Sequence, residues 1–486
     1  MLLERRRTGK QRRTGETCPG TERTLSMTTT PERKPQQEPR PWPQRWQRFE
    51  HIAHSTPQIQ FTALMGLVSD PQGLDASFDA QPGNKAAGVD GMRKAHYAEH
   101  LQERLQGLSQ RLKQGAWRPA PVRRVYIPKA NGGRRPLGIP SFEDRIVQDR
   151  LSRLLQAIWE PEFRDCSYGF RPGRNAHQAL ERLRQVLVGG ATQWVVEADI
   201  QGFFDHVQHE HLMRFVGHRI KDRGVLRLIR RLLKAGVQHD GHWQATEAGT
   251  PQGGLVSPVL ANIYLHYVLD TWFEKKFAAQ CKGRATLVRY ADDFVACFTH
   301  EGDARQFAQA LIERLAQFGL QVEPSKTQLL AFGSKTQRAH AQPQRQVQAC
   351  ELECEQRHGA SFNFLGFTHY MSRTRAGAYT VGRCTQRQRF ARKLRQYADR
   401  LKALRVQGTD AMLRYTRQHL TGWMAYYAIS GNLRSVRAYV YWASRHLYKW
   451  INRRSQRRSM DWTRFREVLA QWLPPVQLRA AARGRR

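Results

Sequence analysis

Three carboxylates stand where carboxylates are costly to keep. Asp199 closes the run Trp194-Val195-Val196-Glu197-Ala198, which reads as a buried strand. Asp292 and Asp293 lie between two further strand-like runs, Thr286–Tyr290 and Phe294–Phe298, the pattern of a β-hairpin with two acids at its turn. Acids on a turn are usually only solvated. Here apolar residues flank both sites: Val195, Val196, Phe203 and Phe204 at the first, Leu287, Val288, Phe294 and Val295 at the second. Carboxylates gathered at the ends of buried strands repel one another and are poorly hydrated. A divalent cation removes that cost, and Mg²⁺ prefers carboxylate oxygens while leaving positions open for phosphates. Two such ions about 3.5–4 Å apart can activate a hydroxyl and stabilise a pyrophosphate leaving group. The expected chemistry is phosphoryl or nucleotidyl transfer.

Two loops must serve such a site. Thr250-Pro251-Gln252-Gly253-Gly254-Leu255-Val256-Ser257-Pro258 lies between the acids in sequence. Its Pro and Gly mark a tight turn, and paired glycines let backbone approach a ligand closely. A helix should follow, with Ser257 as N-cap and Pro258 at the first helical position. Tyr126–Arg135 reads as a hairpin whose tip carries Lys129, Arg134 and Arg135, cations suited to a triphosphate.

The whole chain supports a polyanionic partner. It has 486 residues, 79 basic and 41 acidic, a net charge of +38. Nucleic acid is a better match for that charge than a small metabolite or a membrane surface. No stretch of about 18 consecutive apolar residues predicts a membrane span. The N-terminus lacks the apolar core of a secretory signal, and Met27 is an alternative start. The seven cysteines are scattered, which suits a reducing cytoplasm rather than a disulfide scaffold. Cys350, Cys354 and His358 match structural zinc spacing poorly and read as groups in a polar loop.

The expected organisation has five parts. Residues 1–50, with 12 basic residues, six prolines and three leucines as their only branched aliphatics, read as a disordered basic arm. Apolar periodicity begins near residue 51, and residues 51–107 and 108–370 alternate helical and strand-like stretches. A glutamine-rich exposed loop interrupts them at Thr336–His358. Residues 371–470 read as helical, and 471–486 as a basic tail. Residues 371–486 carry 27 basic against 4 acidic residues, net +23. Phe390, Leu394, Tyr397, Leu401 and Leu404 form one apolar helical stripe, and Val436, Val440, Ala443, Leu447 and Trp450 another. Opposite the second stripe lie Arg434, Arg437, Tyr441, Arg445 and Tyr448, a face able to pair with phosphates and stack on bases.

At this point the sequence resembles a known family. Tyr290-Ala291-Asp292-Asp293 is similar to the YxDD box of reverse transcriptases. Over about residues 84–450 the chain resembles the reverse transcriptase/maturases encoded by bacterial group II introns. The blocks that carry this are Asn84–Gly91, Tyr126–Gln148, Phe163–Leu180, Ala198–Val207, Thr250–Leu265 and Phe362–Phe367, in family order. Gly422-Trp423-Met424-Ala425-Tyr426-Tyr427 resembles the core of the family's maturase domain X.

The resemblance implies an α+β right-hand polymerase. Residues 51–107 would extend the fingers, 108–370 would form fingers and palm, and 371–470 an all-α thumb. Asp199, Asp292 and Asp293 match the acids that hold two Mg²⁺ ions. Lys129 and Arg135 match residues that hold the incoming deoxynucleoside triphosphate, and Phe204 the aromatic that excludes a 2′-hydroxyl. Gln252 and Gly253 match the turn beside the nucleotide. Lys326 matches the lysine near the leaving pyrophosphate, although Pro324 stands where the family usually has an asparagine nearby. The implied partners are group II intron RNA and a DNA primer or target, with no membrane, in the bacterial cytoplasm. No endonuclease motif follows the helical region, the pattern of the subgroup without one. Two rivals stay open: a domesticated relative used in repair, phage defence or spacer acquisition, and an RNA-binding splicing factor without polymerase activity.

Overall fold

In the computed structural model, residues 44–56, 58–128, 133–251, 253–334, 361–374, 376–453, 460–473 and 475–478 are described. Residues 1–43, Lys129, Gln252, the glutamine-rich loop with Cys350, Cys354 and His358, and the last eight residues lie outside them. The disordered arm expected over residues 1–50 ends early, because residues 44–50 open the helix Gln44–Ser55 and bury Trp46 and Phe49 in the core. The described part is mixed α+β, with three small, mainly antiparallel sheets among many helices. Its strands are β1 (Val122–Pro128), β2 (Arg134–Ile139), β3 (Trp194–Asp199), β4 (Val237–His239), β5 (His242–Gln244), β6 (Ala285–Tyr290), β7 (Asp293–Phe298), β8 (Gln328–Ala331), β9 (Ser361–Phe364), β10 (Phe367–Arg373) and β11 (Tyr379–Thr385). Among these residues no helix is long and apolar enough to cross a membrane.

The sheet β6-β7-β3-β8 carries the acids. The middle of its strands is apolar on both sides because both of its faces are covered. Cross-strand partners Val195, Cys297 and Leu330 share one face, and Val196, Ala296 and Leu329 the other. The second face joins a large core around the helix Phe142–Trp159, whose Ile146, Val147, Leu151, Leu154, Leu155 and Ile158 are buried. The first face packs on the helix Ala176–Val188 and on the C-terminal helices. That strand reading therefore holds, and so does the β6–β7 hairpin, joined by Ala291 and Asp292.

A second sheet, β2-β1-β4-β5, holds the expected Tyr126–Arg135 hairpin. A third, β11-β10-β9, lies against β7, and its tight turn is Leu365-Gly366. Both turn residues have positive φ, +51° and +83°, as a two-residue hairpin turn of this hand requires. Tyr426 donates its hydroxyl proton to the Leu365 carbonyl at 2.8 Å, and His177 Nε2 meets the Tyr426 carbonyl at 2.8 Å. The Gly422–Tyr427 motif is thus a joint between helices and sheet, with Trp423 and Tyr427 buried.

Residues 371–470 are not wholly helical as expected, because the end of β10 and all of β11 precede the helices. The helices Arg387–Leu404, Thr409–Tyr427 and Leu433–Asn452 bury Tyr397, Leu401, Leu404, Val436, Ala443 and Leu447 as their periodicity predicts. Phe390 and Leu394 of the first stripe and Val440 and Trp450 of the second are only half-buried, and Tyr439 and Ile451 take fully buried places.

Candidate active site

Asp199 and Asp293 are direct cross-strand partners on β3 and β7. That register sets their Cα atoms about 4.5–5.5 Å apart with side chains on one face. Asp292 sits on the adjoining turn. Asp199, distant in sequence, therefore meets Asp292 and Asp293 at one end of the sheet. Glu197, two residues before Asp199, shares their face, which the sequence reading missed.

The cluster is electrostatically strained. Burial pushes Asp293 up to about 8, and the charges of Asp199, Glu197 and Asp292 push the same way. A hydrogen bond from the Leu365 amide opposes this rise. Asp292 is raised by burial and by Asp199, against the nearby charges of Arg135 and Lys326. Glu197 rises to about 7 through burial, although the Gln328 side chain and the Asn363 amide donate to it. Lys326 forms an ion pair with Asp199, which holds its ammonium above the usual range. The short helical turn Pro324–Lys326 delivers it, and the Glu323 amide donates to the Asp199 carbonyl at 2.8 Å. Pro324 opens that turn without displacing Lys326. Among the described residues no three His, Cys, Asp or Glu side chains are arranged as a finished metal site. The chemistry of the donor set nonetheless fits a hard divalent cation, because mutually repelling carboxylate oxygens are what such an ion neutralises.

The flanking loop is tied to the segment that follows Asp199. The Thr250 amide donates to the Phe204 carbonyl at 2.7 Å, and the Gly249 amide to the Val207 carbonyl at 2.8 Å. Gly253 has φ +116°, and a Cβ there would lie 2.4 Å from the Gly138 carbonyl oxygen. Only glycine allows that approach. The buried Gln148 side chain accepts from the Leu255 amide at 2.8 Å, a support not seen in the sequence. Ser257 does not cap the helix it precedes. It is the first helical residue, and its hydroxyl donates instead to the Pro251 carbonyl at 2.9 Å. Loop closure outcompetes capping here.

Phe204, half-buried, lines a cavity of about 340 Å³ with Asp205, Gly249, Thr250, Pro251 and Arg124. None of Asp199, Asp292 and Asp293 lines it. Arg135 is exposed on β2, close enough for its charge to act on Asp292. On the helix Leu433–Asn452, Arg434, Arg437, Tyr441 and Arg445 are exposed together, with Trp442 beside Tyr441 as an unforeseen second aromatic. Tyr448 differs. It is half-buried with its ring against Trp462 and Phe465, at 4.8 and 5.1 Å, so it packs rather than projects. Residues 460–472 supply that cover, which a reading of one helix alone could not show.

Beneath the β6–β7 turn lies a residue that the sequence reading also missed. Arg289, fully buried on β6, pairs with the equally buried Asp270. An arginine inside an apolar strand run was the available signal, since such a charge is rarely buried unless paired.

Residues 127–369 match the family described as reverse transcriptase (RNA-dependent DNA polymerase). The chain belongs to the reverse transcriptase family. It is 38% identical over 276 residues to protein YkfC of Escherichia coli, covering 50% of this chain and 72% of that protein. It is 40% identical over 207 residues to the group II intron-encoded protein LtrA of Lactococcus lactis, covering 42% of this chain and 34% of that protein. A shorter match, 37% over 95 residues, joins it to the nuclear intron maturase 1 of Arabidopsis thaliana, 20% of this chain and 13% of that one. The resemblance to group II intron reverse transcriptase/maturases is thereby borne out. The match spans about a third of the length of LtrA.

Proposed function

We propose that this reverse transcriptase copies group II intron RNA into DNA from a DNA primer and also binds that RNA to promote its splicing. The observation that carries the reading is the cross-strand pairing of Asp199 with Asp293 beside Asp292. These acids supply the oxygens for two magnesium ions. The chemistry that such ions would supply there is activation of the primer 3′-hydroxyl and neutralisation of charge on the leaving pyrophosphate. Lys326 adds its ammonium on the leaving-group side. Arg135, with Lys129, holds the triphosphate. Phe204 lies under the sugar and excludes a 2′-hydroxyl. The fingers comprise the β2-β1-β4-β5 sheet and residues 51–107, the palm the acid-bearing sheet, and the thumb residues 371–470. Intron RNA meets Arg434, Arg437, Tyr441 and Arg445, and is read mainly through shape. Such a protein would work in the bacterial cytoplasm, on nucleic acid.

Primer extension on an RNA template with Mg²⁺ tests this. Wild type extends the primer. Asp292→Ala stops extension and leaves RNA binding intact. Extension by that variant would overturn the assignment, and absence of extension by a well-folded wild type would favour the splicing-factor alternative.

A further inference from the structure

The β6–β7 turn is built against its own preference. A two-residue hairpin loop whose first residue has positive φ normally carries glycine there. Here that residue is Ala291, at φ +58°. A non-glycine residue persists in such a conformation only when its surroundings over-determine it.

Arg289 supplies the surroundings. Its guanidinium has five N–H donors, and all five are engaged. Nε donates to Asp270 Oδ1 at 2.7 Å, and Nη2 to Asp270 Oδ2 and to Ser167 Oγ, the latter at 2.8 Å. Nη1 donates to Asn262 Oδ1 at 3.1 Å and to the Ala291 carbonyl at 2.9 Å. The last bond reaches the strained turn itself. Asn262 also donates to the Gly169 carbonyl at 2.7 Å. Gly169 in turn lies so near the turn that a Cβ there would fall 2.5 Å from the Ala291 nitrogen. Asp270 reaches its place because the helix beginning at Ser257 widens into a π-helical turn at His266–Asp270. Such widenings in α-helices often accompany function. A buried ion pair is a weak source of stability compared with apolar packing, so its value lies in what it orients.

We infer that Arg289 and Asp270, with Asn262, are positioning residues that lock the Ala291–Asp292 turn and so set how tightly the carboxylates hold a divalent cation. This rests on the metal-holding role proposed for Asp292. Lysine cannot replace Arg289, because a point charge with three donors cannot span four partners.

The test measures Mn²⁺ affinity by electron paramagnetic resonance on the full chain, without substrate, alongside thermal melting. Four proteins are compared: wild type, Asp292→Ala, Arg289→Lys and Asn262→Ala. Orienting partners of metal ligands typically govern affinity by about 10–100-fold. Arg289→Lys should therefore bind Mn²⁺ at least about tenfold more weakly while still melting cooperatively, and Asn262→Ala should shift affinity in the same direction. Arg289→Lys that melts cooperatively and binds within about twofold of wild type would overturn the inference. So would loss of cooperative melting in both Arg289→Lys and Asn262→Ala, since the network would then serve folding alone. Unchanged Mn²⁺ affinity in Asp292→Ala would instead sink the metal role on which the inference stands.

Discussion

Burial and its carboxylate neighbours give Asp293 a pKa of about 8, against about 3.9 for a free aspartate. The folded chain therefore holds this proton more tightly than the unfolded chain. Between about pH 4 and 8 the native state binds more protons, so stability falls as pH rises through that window and levels off above it. Glu197 and Asp144, raised to about 7 and about 8, act in the same direction. His266 and His369, lowered to about 4 and about 3 by burial, act with the opposite sign but only below about pH 6.5. Calorimetric melting in EDTA should thus show a midpoint that drops from about pH 6.5 to 8.5, with a shallower drop in Asp293→Asn. Parallel slopes would mean that Asp293 does not carry the conflict. A second residue-scale prediction concerns Phe204→Ala. Removing the ring beside the 340 Å³ cavity should raise ribonucleotide incorporation by about tenfold or more, read from single-nucleotide extension with paired ribo- and deoxynucleotides.

Hairpins and turns were the elements most legible in the sequence. Alternating apolar runs around Asp292 and Asp293, and Pro-Gly punctuation at residues 250–258, are local signals that tertiary packing did not overrule. The Leu365-Gly366 turn lies inside the Phe362–Phe367 block, but its bond to Asp293 depends on the packing of the β9–β10 hairpin against β7, which nothing local in the sequence signals. The Arg289 network is likewise built from residues 167, 262, 270 and 289, and no local pattern announces it. Ser257 failed as a cap because a hydroxyl has several nearby carbonyls to choose from. Two element-scale predictions follow from geometry. Gly253→Ala must bring a methyl group against the Gly138 carbonyl at a positive φ, and should cost about 1–3 kcal/mol locally; primer extension should fall while the global melt changes little. Tyr426→Phe loses the bond to the Leu365 carbonyl and should cost about 0.5–1.5 kcal/mol in denaturant unfolding.

Across the whole molecule, charge was the plainest message of the composition. A chain at +38 that neutralises phosphates releases their counterions, so RNA affinity should fall steeply with salt. Changing Arg434, Arg437 and Arg445 together to glutamine should reduce the slope of log affinity against log salt by about 2–3. An unchanged slope would leave that helix face merely solvated. Composition could locate the cationic region but not its geometry: Tyr448 turned inward, and Trp442 outward, because helices distant in sequence decide which side is covered.

One residue, Leu365, has a mechanical consequence through the two peptide units on either side of it. Its amide holds Asp293, and its carbonyl is held by Tyr426 from the helices that carry the exposed arginines. Load taken up by those helices if a polyanion drew them aside would reach, through this residue, a carboxylate of the proposed metal site.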